Sequence, residues 1–324
     1  MNIYTTYIEQ ELPYINAAIK KSIAELPSSI QPVAEHILLS KGKRLRPMLT
    51  ILLSRLFGYN EDDIYPLAIS VEFLHAATLL HDDVLDNALL RRNTITAHNL
   101  FGTVSTILAG DALLAKGNLL VATYGCQKCI LTISQALYQT AHGEILEIYN
   151  QGEIWENKNI YLEIITGKTA WVIQAACKVG ALKAGATPQQ VDVAALFGYN
   201  LGIAFQIIDD ALDFLPSKDT GKPEGGDIRE GKFTPPLFYY LKTLSLEEKN
   251  IFIKKFQTHN FTDEEILTIT RVIHEQNFDQ KTRELANVYF QKALTNLELL
   301  TNVPKPEYKT ILIECLNYIS TRTS

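Results

Sequence analysis

The sequence predicts an all-α protein folded as one bundle, and three observations support this. Apolar residues recur at helical spacing along most of the chain, as in Ile8, Leu12, Ile15, Ala18 and Ile23. No Val-, Ile- or Thr-rich alternating segment stands between hairpin turns, which is the pattern strands need. Proline and glycine sit where helices start and stop, at Pro27, Gly58 and Pro188. Without a composition break that reads as a linker, residues 1–324 form one expected domain of about eleven to thirteen helices.

In chain order, the first helix covers 5–25 with Pro13 inside it, and the second covers 33–39. Lys41-Gly42-Lys43-Arg44-Leu45-Arg46-Pro47 then forms a basic loop at the start of a third helix, with Pro47 expected at its first position. A loop of this kind suits an anion, because backbone N–H groups and the helix dipole add to the side-chain charge. The third helix ends at Gly58, and a long helix over 64–86 follows. Later helices are expected in a stretch that contains Gly110-Asp111 and ends near Gly125, over 128–151 and 158–184, and from Pro188 onward. Residues 216–234 read as a loop containing Lys218, Lys222 and Lys232, and loops of that length are often functional lids. Four amphipathic stretches complete the chain at 246–256, 263–275, 279–300 and 306–319.

Composition narrows the function classes. With 47% hydrophobic and 20% charged residues, the chain is an ordinary globular protein, and a net charge of −6 argues against a nucleic-acid surface. Four scattered cysteines do not make a disulfide framework; Cys126 and Cys129 form a CxxC, which reads here as helix-lining thiols. No basic-then-apolar leader opens the sequence and no uncharged apolar run reaches 18 residues, so a cytoplasmic protein without a transmembrane segment is expected.

The chemistry concentrates in two clusters of identical spacing. Asp82, Asp83 and Asp86 end the long helix, and Asp209, Asp210 and Asp213 repeat the pattern. At about 3.6 residues per turn the outer pair of each cluster shares a helix face. Like charges there are mutually unfavourable, which points to a compensating cation. Carboxylates suit hard ions, and Mg2+ takes one or two of them together with waters and substrate phosphate oxygens. Either cluster alone is also compatible with a solvated acidic helix end. Both, however, follow mostly apolar runs, 73–80 and 201–208, which a solvated face would not.

Nine short motifs in order give the chain a family resemblance. They are Gly42 to Pro47, Glu72-Phe73-Leu74-His75, Leu80 to Asp86, Arg91-Arg92, Gly110-Asp111, Gly143-Glu144, Lys168-Thr169, Phe205 to Asp213, and Gly221-Lys222 through Asp227 to Gly231-Lys232. The chain resembles the trans (E-type) polyprenyl diphosphate synthases, most closely the long-chain octaprenyl and heptaprenyl type. That resemblance implies an all-α isoprenoid synthase fold and a prenyltransferase condensing an allylic diphosphate, of farnesyl or geranyl type, repeatedly with isopentenyl diphosphate. It also implies two or three Mg2+ ions on Asp82, Asp83, Asp86, Asp209, Asp210 and Asp213, which must then converge on one leaving group. Arg91, Lys168, Thr169, Gln206, Lys222 and Lys232 would bind the allylic diphosphate, and Lys43, Arg46, His75 and Arg92 the isopentenyl diphosphate. In this family the coupling proton is usually assigned to released diphosphate, and a homodimer is expected.

Ala77 and Thr78 lie about one turn before Asp82, on the face where a growing prenyl tail would descend. Short-chain relatives carry bulky aromatics there. The small side chains here imply a product longer than C20, and the resemblance implies a quinone side-chain precursor. Some positions depart from the family pattern: Lys41 and Asn93 replace usual glycines, Glu147 a frequent Gln, and Pro235 a usual Leu. A class I terpene cyclase is the main alternative, but it needs no second diphosphate site. A regulatory subunit of a heterodimeric synthase is another, but it would be expected to have lost aspartates.

Overall fold

Long apolar stretches bounded by proline, glycine and polar caps fold as helices throughout the computed structural model, which describes residues 3–40, 42, 44–91, 94–155, 158–215 and 224–322. In order they are α1 (Ile3–Ala24), α2 (Gln31–Leu38), α3 (Leu45–Leu56), α4 (Ile64–Leu85), α5 (Ala97–Phe101), α6 (Thr103–Tyr124), α7 (Gln127–Tyr149), α8 (Lys158–Ile165), α9 (Trp171–Lys183) and α10 (Pro188–Leu212). The series continues with α11 (Gly226–Arg229), α12 (Pro235–Leu241), α13 (Leu246–Gln257), α14 (Asp263–Glu275), α15 (Phe278–Leu299) and α16 (Glu307–Ser320). Among the described residues, thirteen of these are eight residues or longer, within the range the periodicity predicts. Helices α13 and α14 start on full capping boxes, Ser245 with Glu248 and Thr262 with Glu265.

Four local features differ from the sequence expectation. Pro47 occupies the third position of α3 rather than the first, still within the turn whose N–H groups lack helical partners. A two-residue ribbon, β1 (Leu90–Arg91) with β2 (Thr94–Ile95), pairs antiparallel after α4; two residues per strand are too few to leave an alternating pattern. Between α8 and α9 the helix widens into a π turn at Thr166–Ala170. The lysine-bearing loop contains the one-turn helix α11, which Gly225 starts in the left-handed conformation.

By compactness the chain divides into two units. One comprises Met1–Tyr138, Val172–Tyr199 and Ala293–Asn317; the other comprises Gln139–Trp171, Asn200–Lys292 and Tyr318–Ser324. In the first, α4 is the central element. Leu67, Ala68, Ile69, Val71, Phe73, Ala77 and Leu80 are all fully buried, and the helix packs chiefly against α6 and α3. Close packing on α6 depends on Gly110 and Gly117, where an added Cβ would overlap the His81 ring and come within 2.8 Å of the Leu74 side chain. In the second unit an aromatic cluster of Trp155, Tyr161, Phe233, Phe252 and Phe256 forms a core.

Three helices, α4, α6 and α10, are long and apolar enough by length and composition alone to cross a membrane. In α4 and α10, 61% of the apolar window is buried inside the protein, whereas in α6 only 39% is. The uncovered part of α6 includes Val104, Leu108 and Leu119.

Candidate active site

In the first unit, α4 carries Asp82 and Asp83 in its last turn and ends on Asp86 as C-cap. Asp83 is turned inward and accepts a hydrogen bond from Arg91 Nε at 2.7 Å, with only 2% of its side chain exposed. Burial pushes the Asp83 carboxyl above the ordinary aspartate value, against the opposing pull of Arg91. The β1–β2 ribbon fixes the strand on which Arg91 sits. Asp82 and Asp86, one turn apart, are the half-exposed members of the cluster.

His81 ties this helix end to α6. Its Nε2 lies 3.1 Å from the Ile107 carbonyl and 3.6 Å from Asp111 Oδ1, and Gly110 leaves the space the ring occupies. The Gly110-Asp111 motif is thereby explained as a seat for His81. Likewise, Glu72 of the Glu72-Phe73-Leu74-His75 motif pairs with buried Arg44, Nη1 to Oε1 at 2.9 Å. Arg44 also donates to the Leu38 and Ser40 carbonyls at the end of α2. Arg44, in the left-handed conformation, therefore anchors the basic loop instead of facing a ligand. Arg46 lies half-buried in the first turn of α3.

Below the cluster is an apolar void of about 10 Å³, the size of one water, lined by Leu74, His75, Thr78, Ile133, Leu137 and Val172 among others. Thr78 lines the void. Ala77 is fully buried and not part of the lining, and neither is Phe73. Adjacent helix positions are rotated by about 100°, so one residue of the pair faces the void and the other the packed interior.

In the second unit, α10 ends in Asp209 and Asp210, with Asp213 just beyond. Asp210 is the buried member, accepting from Tyr161 Oη at 2.5 Å and from Gln206 Nε2 at 2.9 Å. Gln206 in turn accepts from Thr169 Oγ1 at 2.6 Å. Burial pushes the Asp210 carboxyl up to about 7. Asp209 accepts from Arg322 Nη1 at 3.1 Å, and that guanidinium lies 5.0 Å from the centre of the Phe205 ring. Asp213 Oδ2 accepts the Asp227 N–H at 2.9 Å, which fixes the start of α11.

The π turn places Lys168 against α7. Gly143 and Gly167 let the two backbones touch, since a Cβ on Gly143 would stand 2.6 Å from the Lys168 nitrogen. Lys168 Nζ lies 2.5 Å from Glu147 Oε2 and 3.3 Å from Glu144 Oε1, and Lys232 Nζ reaches the same Glu147 oxygen at 3.3 Å. Burial works against ionisation of Glu147, but the two lysines outweigh it and hold its carboxyl below the ordinary glutamate value. Glu144, with less cationic help, is pushed up by burial. Widened helical turns recur at functional sites, and this one brings Lys168 to the carboxylate that Lys232 also reaches.

Several nominated residues are thus brought together within their own unit: Asp82, Asp83, Asp86 and Arg91 in one, and Lys168, Thr169, Gln206, Lys232, Asp209, Asp210 and Asp213 in the other. Lys43, Arg92 and Lys222 lie outside the described residues, as do Lys41 and Asn93. Among the described residues, no three His, Cys, Asp or Glu side chains converge as a protein metal cage. The half-exposed carboxylates of Asp82 and Asp86 are oxygen donors of the kind that hard divalent ions take. Sequence reading missed Tyr161 and Arg322: one lies in an apolar helical stripe and the other near the end of the chain, with no motif around either.

A family model described as polyprenyl synthetase matches residues 27–273. The chain is 31% identical to the octaprenyl diphosphate synthase of Escherichia coli (strain K12), over 91% of each chain. It is 32% identical to the geranylgeranyl diphosphate synthase of Sulfolobus acidocaldarius, over 93% of this chain and 94% of that one. A solved polyprenyl synthase from Caulobacter crescentus CB15, in complex with calcium and isoprenyl diphosphate, superposes with a TM-score of 0.92 at 32% identity. That match covers 99% of this chain and 97% of that one.

Proposed function

Given that the chain belongs to the polyprenyl synthetase family, we propose that it elongates an allylic diphosphate with isopentenyl diphosphate, over repeated cycles, to an all-trans polyprenyl diphosphate longer than C20. The observation that carries this reading is the recurrence of one braced cluster, a buried middle aspartate between two outer ones, at the ends of α4 and α10. Residues 1–324 would act as one synthase domain, cytoplasmic and without a membrane span. The exposed apolar residues Val104, Leu108 and Leu119 on α6 support a homodimer.

Two or three Mg2+ ions, when bound, would supply Lewis-acid neutralisation of the departing diphosphate. All six aspartates are nominated by spacing, and their burial divides the work. Asp82 and Asp86, with Asp209 and Asp213, supply outward carboxylate oxygens, while Asp83 and Asp210 brace them. The calcium in the Caulobacter crescentus complex supports a divalent ion as cofactor.

Ionising an allylic C–O bond moves negative charge onto the leaving diphosphate, and cations preset against that charge are usually the largest catalytic contribution. Lys168 and Lys232 are preset in this sense, Lys168 by Glu147 and Glu144, and Lys232 by Glu230 at 2.6 Å as well as by Glu147. Arg91, Lys222, Thr169 and Gln206 complete the allylic site. Lys43, Arg46, His75 and Arg92 hold the isopentenyl diphosphate, and the coupling proton passes to released diphosphate without a side-chain base. The apolar void under Asp82 holds about one water, so a growing tail must open it by displacing side chains such as Leu74 and Leu137.

Incubating purified protein with farnesyl diphosphate, isopentenyl diphosphate and Mg2+, then sizing the product by chromatography, tests this. Linear products beyond C20 are expected. A cyclic hydrocarbon alone would move the assignment to a cyclase, and arrest at C20 would overturn the chain-length reading. Thr78→Phe should shorten the product by at least one C5 unit; an unchanged product would mean that this face is not the tail's path.

A further inference from the structure

Away from the acidic clusters, the start of α7 holds the CxxC pair that the prenyl chemistry leaves unused. Cys126 immediately precedes α7, and its carbonyl accepts the Ile130 N–H at 3.1 Å, which makes it the N-cap of a 23-residue helix. Cys129 lies on the first turn, fully buried, while Cys126 is exposed. Their sulfurs stand 3.5 Å apart. Gly125 permits this arrangement, because a Cβ there would come within 2.9 Å of Cys129 Cβ. One residue earlier, the Tyr124 carbonyl accepts from Lys183 Nζ at 2.8 Å, so a cation adjoins the turn.

We propose that Cys126 and Cys129 are a reversible dithiol–disulfide site that reacts with small-molecule disulfides of the glutathione class. The two sulfurs are already in contact, and closing to bonding distance takes about 1.5 Å of movement, within reach of side-chain rotation alone. The environments also divide the roles. Partial burial works against ionisation of Cys126, yet the backbone N–H groups of Cys129 and Lys128 and the Cys129 thiol draw it below the ordinary thiol value. This is the behaviour of a thiol at a helix N-terminus. Burial pushes Cys129 up to about 12, so it stays a thiol until a neighbouring mixed disulfide gives it an electrophile.

The steps balance as follows. Cys126 thiolate attacks one sulfur of the external disulfide, forming a mixed disulfide and expelling one small thiolate, which takes a proton from water. Cys129 loses its proton to solvent and attacks Cys126 Sγ, which closes the intramolecular bond and expels the second small thiolate. Two protein thiols are oxidised and one external disulfide is reduced to two thiols. Cys177 and Cys315 are buried with thiols pushed upward, and they serve as internal controls.

Full-length protein is equilibrated with oxidised and reduced glutathione over a range of ratios, quenched in acid, alkylated under denaturing conditions and digested for mass spectrometry. The expected result is loss of both alkylation sites on the peptide spanning 126–129, reversed by excess reduced glutathione, with Cys177 and Cys315 alkylated throughout. Cys129→Ser should instead accumulate a glutathione mixed disulfide on Cys126, and Cys126→Ser should leave Cys129 alkylatable at every ratio. A wild-type peptide that stays doubly alkylated even in oxidised glutathione alone, or that stops at the mixed disulfide, would overturn the proposal.

Discussion

At the end of α4 the inward aspartate, Asp83, is held by a guanidinium; at the end of α10 its counterpart, Asp210, is held by a phenol and an amide, neither of them charged. Equal spacing therefore conceals different electrostatics. Arg91 cancels the charge of Asp83, so the first cluster presents the two carboxylates of Asp82 and Asp86. The second has no such internal cancellation at Asp210, whose carboxyl burial pushes up to about 7. Its outer Asp209 carries Arg322 instead. The spacing sets which side chains share a face, and the partners of the middle residue set how much charge each face carries.

The largest effects should separate outer from middle aspartates. Asp82→Ala and Asp209→Ala are each expected to lower kcat/KM on the order of 10²–10³-fold or more, the scale for removing a preorganised electrostatic group. Asp83→Asn and Asp210→Asn should lower activity less and stability more, read as kcat/KM beside Tm. If Asp83→Asn abolished Mg2+ binding with Tm unchanged, the bracing role would be wrong.

Next in size are the braces themselves. Arg91→Ala leaves a buried carboxylate without its cation and should cost about 1–3 kcal/mol in urea unfolding; Arg91 is partly exposed, so water replaces some of the lost contact. Tyr161→Phe removes one neutral donor from Asp210 and should cost about 1 kcal/mol. Equal losses would erase the distinction between a charged and a neutral brace.

The first cluster and its helix were legible in the sequence because an apolar run ending in acids fixes both the helix and its last turn. The second cluster was legible for the same reason. The partners were not. Tyr161 lies 49 positions from Asp210 and Arg322 lies 113 from Asp209, so only tertiary packing joins them. Glu147 stood out as a departure from a frequent Gln, but its place between Lys168 and Lys232 depends on the π turn, which no local propensity announces. Ala77 and Thr78 read as equivalent until helix rotation separated them.

Smaller effects refine the second unit. Glu147→Gln should loosen the hold on Lys168, with Lys232 still paired to Glu230, and tighten inorganic diphosphate binding about fivefold, or ~1 kcal/mol by calorimetry. The pH dependence follows from the depressed carboxyl of Glu147. Its folded-state value lies below the unfolded one, so its stabilising contribution is complete above the ordinary glutamate range and is lost as pH falls through the folded value. Acid unfolding curves of Glu147→Gln should lack that part of the loss. Arg322→Ala, which removes a part-buried pair from the second cluster, should cost about 1 kcal/mol of stability. Its Mg2+ affinity should rise slightly as Asp209 loses a competing cation.

That both clusters serve one diphosphate through bound ions is a proposal, and a mutant cycle on binding tests it most directly. Mn2+ binding in the presence of inorganic diphosphate is measured by electron paramagnetic resonance for wild type, Asp82→Ala, Asp209→Ala and the double variant. Shared ions predict that each single variant already loses most of the diphosphate-dependent binding and that the double variant loses little more. Losses that add independently, with each single variant keeping the other cluster's ions at full affinity, would contradict it.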